Sequence, residues 1–206
     1  MAIKKRPVSP RQKMINLMYV VLMAMLALNV STEVLDGFSI VEDSLNRTTA
    51  NSSAENNAIY SDFADQMKQN PTKVREWFEK AKQVKDMSDA LYNFAQELKV
   101  AIVKEADGKN GDVSNIKNKE NLEAAGIVML APGTGKGKKL YRELNRYRDR
   151  ILELVTDEHQ KKIIASNFST QVPKSEKYLG KNWQEYMFEN MPVAAAVTML
   201  SKIQSD

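Results

Sequence analysis

The sequence "VREWFEKAKQVKDMSDALYNFAQELKVAI", residues 74–102, indicates the fold class of this chain. Small and apolar side chains recur along it at alternating spacings of three and four residues, without a break. This spacing predicts a long helix that packs along another helix. The stripe consists of Val74, Trp77, Ala81, Val84, Ser88, Leu91, Ala95, Leu98 and Ile102.

The preceding segment also has helical spacing, up to a stop at Asn70–Pro71. The polar stretch "NRTTANSSAENNA", residues 46–58, interrupts this segment and predicts either a loop or a weakly packed helix. From Thr32 a further helix is expected. The apolar positions before and after the polar stretch are Val34, Phe38, Val41 and Leu45, then Ile59, Phe63 and Met67.

The segments that follow residue 102 predict more helices and no strand. Asp107–Gly108 ends the long helix, and "DGKNGDVSN", residues 107–115, reads as a loop. A second amphipathic helix runs to about Ser166, and a connection over 167–182 leads to helices over 183–190 and 192–204. The sequence therefore predicts an all-α bundle. The second helix has its apolar stripe at Leu140, Leu144, Tyr147, Ile151 and Leu154.

An apolar run near the N-terminus, from Met14 to Val30, contains 17 residues and no charge. As a helix it would be about 25 Å long, near the lower limit for a bilayer core of ~30 Å. A secretory signal peptide is disfavoured because no cleavage site of small residues follows the run. A buried core helix is the other alternative. We expect a single transmembrane helix over residues 14–31.

The charges are distributed unevenly along the chain. Of 30 basic residues, five lie in residues 1–13, where there is no acid, which leaves 25 bases against 26 acids in the remainder. The basicity therefore belongs to the tail and does not indicate a nucleic-acid partner. The positive-inside rule predicts that residues 1–13 are cytoplasmic and that residues 32–206 lie on the other side of the membrane.

Few residues are suited to catalysis or to binding a cofactor. The chain has no cysteine, and His159 is its only histidine, so a zinc site is disfavoured and no catalytic set of nucleophile, base and orienting group can be assembled; we expect no metal site. The stretch "APGTGKGKK", residues 131–139, lacks the first glycine and the hydroxyl residue of a phosphate-binding loop, since Leu130 and Gly137 occupy those positions. We expect no enzymatic activity and no cofactor.

The apolar run has two features that suggest protein contacts. Small residues on one side permit close helix approach, and an asparagine there can form a hydrogen bond across an interface, so this side is a candidate self-association face. Arg11 sits at the edge of the run, either as a topology signal or as a charge that needs a partner. The candidate face consists of Asn16, Val20, Met23, Ala24 and Ala27.

Three stretches resemble the start and the end of one known protein segment. "SPRQKMINLMY" (residues 9–19) and "ALNVSTEVLDGF" (residues 27–38) are similar to the beginning of the gliding-motility protein GldM, called PorM in non-gliding relatives, of the type IX secretion system. "WQEYMFENMPVAAAVTMLSKIQSD", residues 183–206, resembles the end of the first periplasmic domain of that family.

This resemblance implies a role in an inner-membrane motor driven by the proton-motive force. It implies a homodimer whose membrane helices are enclosed by a multi-span subunit similar to GldL or PorL, with a helical domain that meets secretion-system components in the periplasm. It also implies that Arg11 pairs with a glutamate of that subunit and that Tyr19 is a polar group of the motor core. Residues 14–30 contain no Asp or Glu, so a proton acceptor must come from the partner.

Two other functions remain alternatives. A membrane-anchored sensory ectodomain of the chemoreceptor type would have a similar anchor and helical domain, but a tail of 13 residues is too short for a signalling output. An enzyme ranks third, because one histidine and no cysteine supply no nucleophile with its base and orienting group.

Overall fold

The computed structural model describes residues 9–28 and 31–206, and the side chains of residues 24–28 lie outside that description. Within these ranges the regular structure is helical and includes no strand, which confirms the predicted all-α class. The helices are α1 Pro10–Leu28, α2 Thr32–Gln69, α3 Pro71–Asp107, α4 Ala124–Leu130, α5 Gly137–Leu154, α6 Glu158–Asn167, α7 Trp183–Phe188 and α8 Val193–Ser205, with a 3-10 turn at Glu176–Tyr178.

Helices α2 and α3 form a long antiparallel hairpin with a single connecting residue, Asn70. Pro71 starts α3, where its fixed φ suits a helix and its missing N–H costs no hydrogen bond. The antiparallel pairing is visible in two contacts between the legs. Lys85 lies over the ring of Tyr60 near the turn, and Lys99 reaches Glu42 further from it. The predicted stop at Asn70–Pro71 is confirmed.

Helix α8 lies against both legs of this hairpin and closes the core on one side. It runs in the same direction as α2, because Thr198 donates to the carbonyl of Phe38 (3.3 Å) and Ser201 donates to Glu42 (2.6 Å). The side of α8 that faces α2 carries small side chains, Ala194, Thr198 and Ser201, all buried. Their size lets the two helix axes approach closely.

The main apolar core is formed by α3 and α8 together with α4, α5 and α7. Gly137 opens α5 against the end of α4, where an added Cβ would lie 2.8 Å from the Met129 carbonyl oxygen and 2.9 Å from Cβ of Gln184. The glycine in this loop therefore serves close packing rather than phosphate binding. The largest fully buried apolar side chains are Phe188, Leu98, Ile102, Met129, Leu140 and Leu200.

The far half of the hairpin, residues 46–90, has no buried side chain, and its contacts with α5 include Gln83 with Arg150 and Ser88 with Tyr147. Trp77, a member of the predicted stripe, is 58% exposed there. A cleft of about 540 Å³ separates the legs, lined on the α2 side by polar residues that include Thr49, Ser52 and Asn56. The stripe predicted for α3 is therefore buried only toward the core, at Leu91, Ala95, Leu98 and Ile102.

The polar stretch 46–58, predicted to be a loop or a weakly packed helix, is helical. The side of α2 that faces inward differs in part from the prediction. Val34 and Val41, predicted to face inward, are about half exposed, whereas Leu35 is buried. Two of the four predicted positions, Phe38 and Leu45, are partly buried as expected, whereas Leu35 and Glu42 face inward in place of Val34 and Val41. Packing against α8 and α3 sets this rotation of α2.

The prediction of one continuous helix from Leu140 to about Ser166 is wrong. It ends at Leu154, and α6 starts at Glu158 after a short extended connection. The side chain of Asp157 accepts a hydrogen bond from the backbone N–H of Gln160 (2.7 Å), which caps the new helix. The short helix α4 lies in a region where no helix was predicted.

Candidate functional site

Helix α1 carries the two residues expected to act in the motor, Arg11 and Tyr19, and both are exposed. They lie about 80° apart around the helix and about 12 Å apart along its axis. The structure therefore places them on neighbouring faces of α1. Helix α1 contains no Asp or Glu, so it offers Arg11 no carboxylate of its own.

The predicted self-association face also lies on α1. Asn16, Val20 and Met23 are exposed, and Asn16 accepts a hydrogen bond from the side chain of Gln12 (3.2 Å). Ala24 and Ala27 are helical, but their side chains are outside the described part. Helix α1 takes no part in the principal helix–helix contacts of the chain. An apolar surface of this extent is typical of a segment that another molecule covers.

Among the described residues, no helix combines the length and the apolarity needed to cross a bilayer. The N-terminal part of the predicted cytoplasmic tail, residues 1–8, lies outside the described residues, as do residues 29 and 30 of the predicted span.

The folded domain contains one buried charged group that the sequence reasoning missed, which we call the Glu42–Lys99 cluster: Glu42, Lys99, Ser201 and Gln204. The side chain of Lys99 is 3% exposed and that of Glu42 is 13% exposed. Nζ of Lys99 donates to Oε1 of Glu42 (2.8 Å), to the hydroxyl of Ser201 (2.5 Å) and to the side-chain oxygen of Gln204 (3.3 Å). One ammonium group thus connects α3 to both α2 and α8, with all its donors used.

The carboxylate of this cluster is less well satisfied than the ammonium group. Oε1 of Glu42 accepts from Lys99 and Ser201, whereas Oε2 is buried and has no hydrogen-bond partner among the described residues. Gln204 extends the network because its amide donates to the carbonyl of Tyr92 (3.1 Å) and to the side chain of Gln96 (3.2 Å). Within the cluster, the Glu42–Lys99 ion pair is the interaction that offsets the cost of burying the two charges.

The sequence does contain a signal for this cluster. Lys99 follows Ala95 by four residues and precedes Ile102 by three, which puts a charge on the apolar arc of α3. Glu42 has the same relation to Phe38 and Leu45 in α2. A charged residue at an apolar position on each of two paired helices predicts a buried ion pair.

His159 and the basic residues of α5 do not form a further candidate site. His159 is exposed on α6, and the described residues contain no group of side chains that could hold a metal ion. Several basic residues of α5 are paired close by: Arg148 with Asp149, Arg150 with Glu153, and Lys139 over the ring of Phe94. These contacts pair three basic side chains of α5 within the domain itself.

The comparisons with known proteins give one family. The family model described as the GldM N-terminal domain matches residues 33–206, which corresponds to the whole of the domain from α2 to α8. No curated protein matches the chain.

Proposed function

Because this chain belongs to the family of GldM N-terminal domains, we propose that it is a subunit of an inner-membrane motor driven by the proton-motive force. The family is associated with gliding motility and type IX protein secretion, and its members are structural components rather than enzymes. In this role the chain has no enzymatic activity and passes motion from membrane helices to the periplasm.

The proposed placement puts the apolar run in the inner membrane, residues 1–13 in the cytoplasm and residues 32–206 in the periplasm. The charge distribution supports this orientation, because five bases precede the run, whereas Glu33 and Asp36 follow it. The run continues into residues 29 and 30, which lie outside the described ranges. The exposed apolar side chains of α1 gain a suitable environment in lipid or against neighbouring helices.

Arg11 is the proposed counter-ion of a proton site. A glutamate of a multi-span subunit similar to GldL or PorL would pair with it, and the guanidinium would favour the ionised form of that glutamate. Separation of the two groups in a low-dielectric site would favour the protonated form, so protonation and helix movement become coupled. Tyr19 would be a second polar group of the same core.

The same helix supplies the proposed contact between two copies of the chain. Asn16, Val20, Met23, Ala24 and Ala27 form one side of α1, which would face its counterpart in a homodimer. The periplasmic domains would then contact further components of the secretion system. Helix α2 begins at Thr32, only four positions after α1 ends at Leu28, so a displaced α1 acts on the domain through α2.

One observation carries this proposal: Arg11 is exposed at the start of an apolar helix that has no acidic residue. The test replaces Arg11 by alanine and, separately, by lysine in the full-length protein, with Lys13→Ala as the matched control. Lys4, Lys5 and Arg6 still keep the tail inside, so all variants should insert normally.

We expect Arg11→Ala to abolish secretion or gliding at normal membrane abundance. Arg11→Lys should weaken it, since lysine lacks the planar paired donors of a guanidinium, and Lys13→Ala should have the mildest effect. Cargo secretion and membrane abundance are measured together. Wild-type secretion by Arg11→Ala would refute the counter-ion role.

A further inference from the structure

The outer face of α2 carries apolar side chains that the domain leaves uncovered. Val34 is 51% exposed, Ile40 69% and Val41 48%. This face lies beside the arc of α2 that packs against α8 and α3, where Leu35 is buried. A Cβ added at Gly37 would meet no atom within 4 Å, so the described part of the chain leaves the space beside it open. The face is therefore available to another molecule.

This face continues, with the same spacing, the candidate self-association face of α1. From Asn16 to Thr48, steps of four and three residues alternate without a break. None of the ten positions is charged, although five charged residues lie among residues 32–48. We call the last five positions, which belong to α2, the outer row. The ten positions are Asn16, Val20, Met23, Ala27, Val30, Val34, Gly37, Val41, Ser44 and Thr48.

Alternating steps of three and four residues are the spacing of a coiled-coil seam, whose side chains face a partner helix. In steps of seven from Val20, four of the five positions hold β-branched side chains, which are typical of parallel helix pairs at these positions. Gly37 and Ser44, at the intervening positions, are small enough to let a second helix approach closely. In the described part of the chain, however, Val34 and Val41 remain about half exposed. The outer row therefore lacks there the partner helix that its spacing predicts.

A second copy of the chain suits this row for two reasons. Helix α2 begins at Thr32, four positions after α1 ends at Leu28, and four residues of extended chain span at most about 14 Å. Two α1 helices that pair as proposed therefore hold two α2 helices near each other at high local concentration. An uncharged face also matches its own copy about a twofold axis without complementary charges. Because α2 begins after a non-helical residue, Ser31 (ψ 136°), each helix forms its own part of the contact.

We propose that the outer row of α2 is a second contact between two copies of this chain, formed outside the membrane next to the pairing of α1. This inference rests on the proposed function, because the pairing of α1 brings the two rows together. In the dimer the two helical domains are joined through α2, so a turn of the paired α1 helices turns both domains together. Crosslinking tests the contact without a measurement of secretion.

Single cysteines test the contact in the membrane-inserted chain, which has no cysteine of its own. Ser44→Cys lies in the outer row. Asp43→Cys is the matched control, because Asp43 is the adjacent exposed residue and lies about 100° away around the helix. Val20→Cys reports the pairing of α1 separately. With a short thiol crosslinker we expect covalent dimers from Ser44→Cys and from Val20→Cys, and few from Asp43→Cys.

The crosslinking pattern separates failure of this contact from failure of the proposed function. Dimers from Val20→Cys without dimers from Ser44→Cys would overturn the contact of α2 and leave the pairing of α1 in place. Equal crosslinking of Ser44→Cys and Asp43→Cys would overturn it too, because a defined contact distinguishes adjacent positions. An adduct of Ser44→Cys with a different protein, in place of the dimer, would assign the row to that partner. No dimer from either Val20→Cys or Ser44→Cys would refute the homodimer as a whole.

A charge exchange at Val41 tests whether the same residue of two copies meets at the twofold axis. In the Ser44→Cys chain, Val41→Glu and Val41→Lys each place like charges opposite each other, so crosslinking should fall to the level of Asp43→Cys. Co-expression of the two variants with different tags should restore it, as dimers that contain one of each. Ile163→Glu on α6, where Ile163 is 47% exposed, matches Val41 in exposure and should leave crosslinking unchanged. Mixed dimers that fail to recover would overturn the proposal.

Discussion

Replacing Lys99 alone by methionine should destabilise the domain severely, although methionine fills a similar volume. The carboxylate of Glu42, 13% exposed, would keep the hydroxyl of Ser201 but lose the charge that compensates its burial. Breaking a buried pair in this way costs about 3–5 kcal/mol. For a chain of this size such a loss lowers the midpoint of thermal unfolding by roughly 6–20 °C.

Replacing both Glu42 and Lys99 measures the net contribution of the ion pair to the unfolding free energy, without the cost of leaving one charge unpaired. Glu42→Leu with Lys99→Met leaves no buried charge, and we expect its unfolding free energy to equal or exceed that of the parent, by up to about 4 kcal/mol. Thermal unfolding followed by circular dichroism at 222 nm, with denaturant titration, measures all variants, and Glu76→Gln with Lys80→Met serves as the exposed control. Equal losses in the single and double variants would refute the electrostatic account.

Three further predictions concern the glycines, the orientation and the dimer. Gly137→Ala should destabilise the domain by about 1–3 kcal/mol because its Cβ would collide with Met129, whereas Gly37→Ala in α2 meets no atom within 4 Å and should stabilise it by about 0.5–1 kcal/mol; denaturant titration of both variants tests this. An alkaline phosphatase fused after Asp206 should be active in cells, and an inactive but stable fusion would reverse the orientation. Single cysteines at positions 16, 20, 23 and 27 should crosslink in membranes, and uniformly monomeric variants would contradict the homodimer.

The fold was predictable from the sequence where apolar spacing and breakers agree. The stripe over residues 74–102 and the stop at Asn70–Pro71 define α3, and Asp107–Gly108 ends it, with φ of +85° at the glycine. Where the helix is polar the spacing is uninformative. Residues 46–58 are helical because α2 continues through them from the part packed against α8 to the part that pairs with α3 before Asn70, a reason that lies outside the stretch itself.

The candidate site was predictable only in part. Arg11, Asn16 and Tyr19 could be chosen as candidates from the sequence because they are polar residues at the edge of, or within, an apolar run. The inward position of Glu42 depends on the rotation of α2, which is set by α8 more than 150 residues later in the sequence. The apolar spacing leaves that rotation ambiguous, because Glu42 shares an arc of α2 with Phe38 and Leu45, whereas the valines at 34 and 41 suggest a different orientation. Long-range packing therefore decides which α2 residues are buried.

The distance in sequence between α2 and α8 has a consequence for biogenesis. Thr198 and Ser201 contact residues that are synthesised about 160 positions earlier, so the core has a high contact order on this side. Until α8 has been made, α2 lacks a main packing partner and remains solvated. Its many Ser, Thr and Asn residues keep this waiting segment soluble and resistant to aggregation. During synthesis this side of the core would thus complete its packing only after α8 has been made.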